Sequence, residues 1–368
     1  EDAYIDTTDV SSGTSLVINN VKTLNGDVNN VNGTVSLNSG SINGNVNSSG
    51  AVTLDDSTIN GTLTNTSGSL IANNGSVITG DILNGTASAI GTVTLDDSTI
   101  SGTLTNTNGT VIANNGSIIS GNVVNGSGST NSTLTLDNSI ISGKLTNTNG
   151  TVTLNNDSQI NNGLTNSDLV SLNSGSDITG NVINDVNGTL IVGDGTNVST
   201  ITGDVTNSNI LTVKKDSYVT GTLINNGTTT LQDGAYVSGM IANDGILNLS
   251  NVSLNTITGS GILNSTLDYT SVKTIGTNTT AQNKLNITSG TFTLSEDAYI
   301  DTTDVSSGTS LVIATAITLT GDVNNLGDTT LDNDAKIVGN VYNSGLLTLD
   351  TGANIVGEIT GTGMVSVA

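Results

Sequence analysis

One seven-residue phrase recurs along this chain: an aliphatic residue, a gap, Gly, a gap, an aliphatic residue, a gap, Asn. It stands as Ile59-Asn60-Gly61-Thr62-Leu63-Thr64-Asn65 and returns as Ile100-Ser101-Gly102-Thr103-Leu104-Thr105-Asn106. Later copies read Ile141-Ser142-Gly143-Lys144-Leu145-Thr146-Asn147, Ile201-Thr202-Gly203-Asp204-Val205-Thr206-Asn207 and Ile337-Val338-Gly339-Asn340-Val341-Tyr342-Asn343. Copies lie mostly 18 to 19 residues apart, with some at 22 or 23. A fixed period of this size means stacked copies of one small unit that cannot bury its apolar face alone. That constraint overrides the ordinary expectation of two or three globular domains from 368 residues, because a solenoid grows by adding units.

Within each unit the pattern has period two, which marks strands. In Thr92-Val93-Thr94-Leu95 the aliphatics point one way and the threonines the other, and Thr151-Val152-Thr153-Leu154 and Leu347-Thr348-Leu349 repeat this. β-branched residues abound and Gly punctuates every unit, as short strands joined by tight bends require. Each turn holds two or three strands, with Leu-x-Leu on one wall and Ile-x-Gly-x-Val on another. The expected fold is all-β: a single-stranded parallel β-helix, or β-solenoid, of about 20 rungs with roughly 18–19 residues per rung. At ~4.8 Å between parallel strands, such a stack is on the order of 95 Å long. Aromatics at 2% suit a slender tube filled by Val, Ile and Leu.

The Asn that closes the phrase falls on the same side as the core aliphatic two residues before it. It occurs at Asn65, Asn84, Asn106, Asn125, Asn147, Asn166, Asn184, Asn207, Asn225 and Asn243, and again at Asn264, Asn325 and Asn343. A buried amide must find partners, and an identical amide one rung away supplies both donor and acceptor. The expectation is a structural asparagine ladder closing a bend.

Longer periods overlie the rungs. Val52, Val93 and Leu134 begin near-copies 41 residues apart, and Glu1–Ile18 is reproduced without change at Glu296–Ile313. Thr23–Asn30 resembles Thr318–Asn325, so residues 1–30 resemble 296–325 and a tandem large-repeat boundary falls near 295. The chain reads as one β-helix across 1–368 within a longer array of such repeats. The rhythm loosens over 254–290, where irregular rungs or a kink are expected; Leu267–Gln282 keeps poor register and includes Tyr269 and the run Thr277–Thr280.

Composition excludes several classes of function. Net charge is −24, with seven Lys and Arg together against 31 acidic residues, so no basic stripe exists for nucleic acid or for an anionic membrane. No apolar run approaches the ~20 residues of a membrane helix, and direct membrane insertion of this segment is not expected. Without His or Cys, neither a Ser-His nor a Cys-His nucleophile can be assembled. The pairs Asp55-Asp56 and Asp96-Asp97 are candidates for acid–base work, yet they recur at one place in repeated units, as a decorated bend does. The chain is therefore read as no enzyme. Surface Ca²⁺ on these columns is conceivable, but pairs two rungs apart stand ~9.6 Å from each other, too far to share an ion, and no cofactor or metal is predicted.

The Ile-Thr-Gly-Asn-Val-x-Asn-x-Gly-x-Leu-x-Leu style of unit resembles the passenger domains of bacterial autotransporter adhesins, most closely the AIDA-type self-associating group. The resemblance covers nearly the whole chain as a pattern of rungs. It implies a right-handed parallel β-helix, secreted through the type V route and displayed on a Gram-negative cell surface, anchored by a C-terminal outer-membrane barrel. It further implies homotypic binding from cell to cell, giving aggregation and biofilm. The candidate self-association columns are Asp55, Asp56, Asp96, Asp97 and Asp137 with Thr66, Thr107 and Thr148, all polar and all repeating. Two other readings stand beside this: a passive stalk that displays a distal adhesive tip, and an adhesin for host surface glycans or matrix proteins.

Overall fold

A computed structural model describes residues 1–127, 132–266 and 270–368. It is an all-β parallel solenoid of about 20 turns, with 59% strand and no helix among the described residues. The chain divides into two compact units, Glu1–Val182 and Ile183–Ala368.

In the first unit one turn is three short strands, as in Ala51–Asp55, Thr58–Ile59 and Leu63–Asn65. These define walls A, B and C. The next turn, Ser69–Asn73, Val77–Ile78 and Ile82–Asn84, pairs with it in parallel, wall on wall. Register sets like on like: Leu70 opposite Val52, Ile78 opposite Ile59, Ile82 opposite Leu63. Alternation then sends Val52, Leu54, Ile59 and Leu63 into the tube, each at most 1% exposed. A one-residue slip would turn every one of them outward, so the hydrophobic pattern alone pins the register.

The recurrent Gly of the phrase sits between walls B and C. A Cβ built on Gly61, Gly80, Gly102, Gly121 or Gly143 lands 2.2–2.4 Å from the carbonyl oxygen of the Gly one rung before. None of these five has positive φ. Close approach of stacked backbones, rather than a left-handed conformation, is why only Gly fits at these five positions.

Non-glycine residues carry the left-handed backbone at the bend after wall A. Asp56, Asn74, Asp97, Asn115, Asn138 and Asn156 all have φ between 47° and 54°. Asn and Asp are the side chains that best tolerate this region, which accounts for their predominance at the site, although Ser39 and Ser174 hold it on two rungs with φ of 52° and 50°.

The second unit begins with the same three walls, seen at Thr228–Gln232, Tyr236–Val237 and Ile241–Asn243. The segment 254–290 lies here, and in it the sequence pattern moves from one wall to the next. Ile246–Ser250 pairs with Ile262–Ser265, which pairs with Gln282–Ile287. That strand pairs with the end of Ala298–Val305, and so on through Thr318–Asn325 to Val341–Asn343. The column Leu249–Ser265–Ile287–Val305–Asn325–Asn343 thus starts as Leu-x-Leu and ends as Val-x-Asn. Asn243 belongs to a different wall, which continues through Ile257 and Ile275 to Ala298, Leu319 and Ile337. The local cause is a short turn: the Asn264–Asn248 offset is 16 residues, against 18 for Asn248–Thr230. In that turn Ser253–Thr258 runs as one strand over two walls, without the Gly bend. Thr277–Thr280 forms a small exposed loop closed by an antiparallel bridge. Tyr269, singled out above, lies outside the described residues.

Candidate functional site

Two inward polar columns and the glycine stack account for most of the repeated letters. The first is the amide ladder. In the first unit Asn65 donates through Nδ2 to Asn84 Oδ1 at 2.8 Å, Asn84 to Asn106 at 2.9 Å, and Asn106 to Asn125 at 2.8 Å. Asn125 then donates to Asn147 at 3.0 Å and Asn147 to Asn166 at 2.9 Å. The second unit has its own run: Asn184 to Asn207, Asn207 to Asn225 and Asn225 to Asn243, at 2.8, 3.0 and 2.7 Å. These ladder residues are 0–1% exposed. Most Nδ2 atoms also reach a backbone carbonyl across the bend, as Asn106 does with Gly109 at 3.1 Å.

The run in the second unit stops at Asn243, which donates to Gln282 Oε1 at 3.1 Å. Gln282 in turn donates to Gly259 O at 2.6 Å, so a longer amide caps the ladder where the pattern changes walls. Asn325 donating to Asn343 at 2.8 Å is a second ladder on another wall, not a continuation of the first. Asn264 is also placed differently from the expectation. It faces outward, taking Asn248 Oδ1 as acceptor and receiving a bond from Asn286, each at 2.8 Å.

The second inward column escaped sequence reading. Ser57, Ser76, Ser98, Ser117, Ser139 and Ser158 are at most 3% exposed. Each Oγ donates to the carbonyl of the bend before it, as Ser76 does to Asn73 O at 2.6 Å. The hydroxyls of Ser57, Ser76, Ser117 and Ser158 also accept from the preceding rung, as Ser76 does from Ser57 N at 3.2 Å. The signal was available: this Ser always precedes the wall-B Ile by two residues. The third repeated column is the glycine stack, which brings backbone against backbone.

Of the five bend carboxylates expected to mediate self-association, Asp55, Asp96 and Asp137 are each engaged by the next rung. Asn74 donates to Asp55 Oδ1, Asn115 to Asp96 Oδ1 and Asn156 to Asp137 Oδ1, each at 2.6 Å. Asp56 and Asp97 are exposed and hold the left-handed bend position. Asp55 also lies between Asn38 and Asn73 in register, so like charges are kept two rungs apart. Of the threonines, Thr66 donates to Ser48 O at 3.1 Å and Thr107 accepts from Ser127 at 3.2 Å, while Thr148 is exposed. A further set of polar letters, one place after the Gly, caps backbone: Asp81 Oδ1 accepts from Thr103 N at 2.7 Å, and Asn122 Oδ1 from Lys144 N at 2.8 Å.

What remains open to a partner in the first unit is the outer face of the flat walls. On wall A the outward column Ser36–Thr53–Ile71–Thr94–Ile112–Thr135–Thr153–Ser171 runs rung by rung. Beside it runs Thr34–Ala51–Ser69–Thr92–Thr110–Thr133–Thr151–Leu169. On wall C the column is Asn47–Thr64–Leu83–Thr105–Val124–Thr146–Thr165. None of these residues is charged, and hydroxyls predominate with aliphatic groups among them. No group of three or more metal-ligating side chains occurs among the described residues.

The chain matches no family model, no curated protein and no solved structure.

Proposed function

We propose that this chain is the self-associating passenger of a bacterial cell-surface adhesin, of the AIDA-type autotransporter kind, and that it joins like molecules on neighbouring cells. The observation that carries the reading is the set of uncharged outward columns on walls A and C of the first unit, in a protein of net charge −24. A face where threonine alternates with isoleucine offers methyl area and hydrogen bonds together, at a regular ~4.8 Å repeat. One hydrogen bond contributes only about 0.5–1.5 kcal/mol net, but rungs in register add, and many linked copies on a cell add again. The proposed contact therefore lies on the walls, with the bend residues Asp55, Asp96 and Asp137 acting as internal ties. Cell-surface location, homotypic partnership and a binding rather than catalytic role all belong to this proposal.

The test is display of this chain on otherwise non-settling cells. Wild type is expected to settle them. Thr94→Asp with Thr135→Asp, which puts charge on wall A without touching the core, is expected to abolish settling while the folded signal is retained. Settling that survives this pair but is lost with Asp55→Asn and Asp96→Asn would return the contact to the bends. Cells that never settle would leave the chain as a stalk for a tip elsewhere, a reading that the tandem copy at Glu296–Ile313 favours, since such arrays change length freely.

A further inference from the structure

The two copies of the duplicated segment each build a recess at the same place. In the first unit Asp9, Val10, Ser11, Asn29, Val31 and Asn47 line it. In the second, the corresponding residues are Asp304, Val305, Ser306, Asn324, Leu326 and Tyr342. Asp304, Asn324 and Tyr342 stand on three consecutive rungs of one outward column. Asn324 donates to Asp304 Oδ1 at 2.8 Å, and Lys284 forms an ion pair with the same carboxylate. Around the bend, Leu326 N donates to Val305 O at 2.9 Å, which turns the Leu326 side chain out beside the column. Leu326 is 55% and Tyr342 52% exposed, in a chain with seven aromatic-ring residues of the Tyr and Phe types. The recess measures about 350 Å³, at the small end of the range for ligand sites.

The geometry points to a neutral-saccharide site in the second unit, made by Asp304, Asn324, Leu326 and Tyr342. A pyranose has a rim of hydroxyls and a face of C–H groups. Asp304, with about four lone-pair sites and two of them used, accepts from hydroxyls, and Asn324 both donates and accepts. Tyr342 and Leu326 supply the apolar surface for the C–H face, at a spacing of ~4.8 Å per rung from the polar pair. A net charge of −24 disfavours sialic or uronic acids and leaves neutral sugars as the class that fits. The recess of the first unit keeps the acid, the amide and an exposed aliphatic, Val31, but has Asn47 where the second has the ring. It is the built-in weak counterpart. This site is independent of the wall contact proposed above.

The experiment is saturation-transfer and titration NMR on the full chain with methyl galactoside, methyl mannoside and N-acetylglucosamine, with N-acetylneuraminic acid as the anionic probe. At least one neutral sugar is expected to bind at one site, and Tyr342→Ala to weaken it about tenfold or more. Asn47→Tyr, which places a ring in the first recess, is expected to double the stoichiometry; it tests the site by gain, so a misfolded loss variant cannot mimic it. Binding that Tyr342→Ala and Asn47→Tyr both leave unchanged, or no binding by any neutral sugar, would overturn the proposal. Cell settling does not enter these readouts, so failure here leaves the wall contact standing, and the reverse.

Discussion

A ladder amide is never satisfied alone. Asn106 accepts from Asn84 and donates to Asn125, Gly109 O and Thr133 O, so removing it strands groups on both neighbouring rungs in a site closed to water. Asn106→Ala is expected to cost about 2–4 kcal/mol, read as a lower urea midpoint for the first unit, since each orphaned buried group costs about 1–3 kcal/mol. The ladder's first member has the opposite opportunity. Asn65 Oδ1 has no partner, because Ser48 occupies the rung before it and its hydroxyl turns to Gly50 O. Ser48→Asn would extend the ladder by one rung, and a rise in stability of about 1 kcal/mol is the expected outcome in the same unfolding experiment. The glycine stack makes a sharper demand. Gly102→Ala must push backbone from backbone at 2.4 Å, with an expected cost of about 1–3 kcal/mol, whereas Gly75→Ala meets nothing within 4 Å and pays only for its φ of 77°. Sequence reading recovered which residues recur here and missed why. Asn at the end of the phrase was legible because alternation assigns it a side, and an inward amide has one economical solution. Gly was legible as a landmark, but the distance to the previous rung's carbonyl is not written in any single unit. The bend acids were legible as repeated letters, but the bond from Asn74 to Asp55, nineteen residues away, is not written in any single unit.

At the scale of a turn, the strand pattern and its two or three walls were readable from period-two alternation, while the change of wall over 254–290 was not. Leu-x-Leu, Ser and Val-x-Asn all place a compatible small or aliphatic group inward, so Leu249, Ser265, Ile287, Val305 and Asn325 can share a column without any letter announcing the change. Loosened rhythm marked the region; only pairing shows what happens in it. The cost of the change falls on the ladder end, where Asn243 would otherwise keep an unused donor. Gln282, one methylene longer than Asn, spans the gap to Asn243 and to Gly259 O. Gln282→Ala removes both bonds, although Asn243 Nδ2 retains Ile262 O at 3.2 Å. Amide exchange around Gly259 and Gly261 is then expected to quicken about tenfold, the equivalent of roughly 1.4 kcal/mol of local opening, with rungs at Asn207 unchanged. If exchange quickens along the whole second unit instead, the cap holds the unit together and is no local feature.

At the scale of the molecule the governing quantity is charge. The 31 acidic groups against seven basic ones leave −24, and the described ion pairs, Lys215 with Asp216 and Lys284 with Asp304, neutralise little of it. Two copies approaching through neutral walls still feel each other's bends. At 0.01 M salt the screening length is about 30 Å, wider than any intermolecular gap at contact, and repulsion opposes every face; at 0.15 M it falls to about 8 Å. At that length repulsion between the acids of two copies is largely screened, while the uncharged wall columns, two residues from Asp55, Asp96 and Asp137, keep their apolar and hydrogen-bonding contacts. Association is therefore expected to rise steeply between 10 and 150 mM NaCl and then level off, measured by light scattering of the purified chain or by settling of displaying cells. Kosmotropic salts that strengthen apolar burial should carry it further. An association held by ion pairs would respond in the opposite sense, weakening over the same range. Loss of settling on adding salt would therefore remove the walls as the contact and put the bend acids back in their place, against the few lysines of a neighbouring copy.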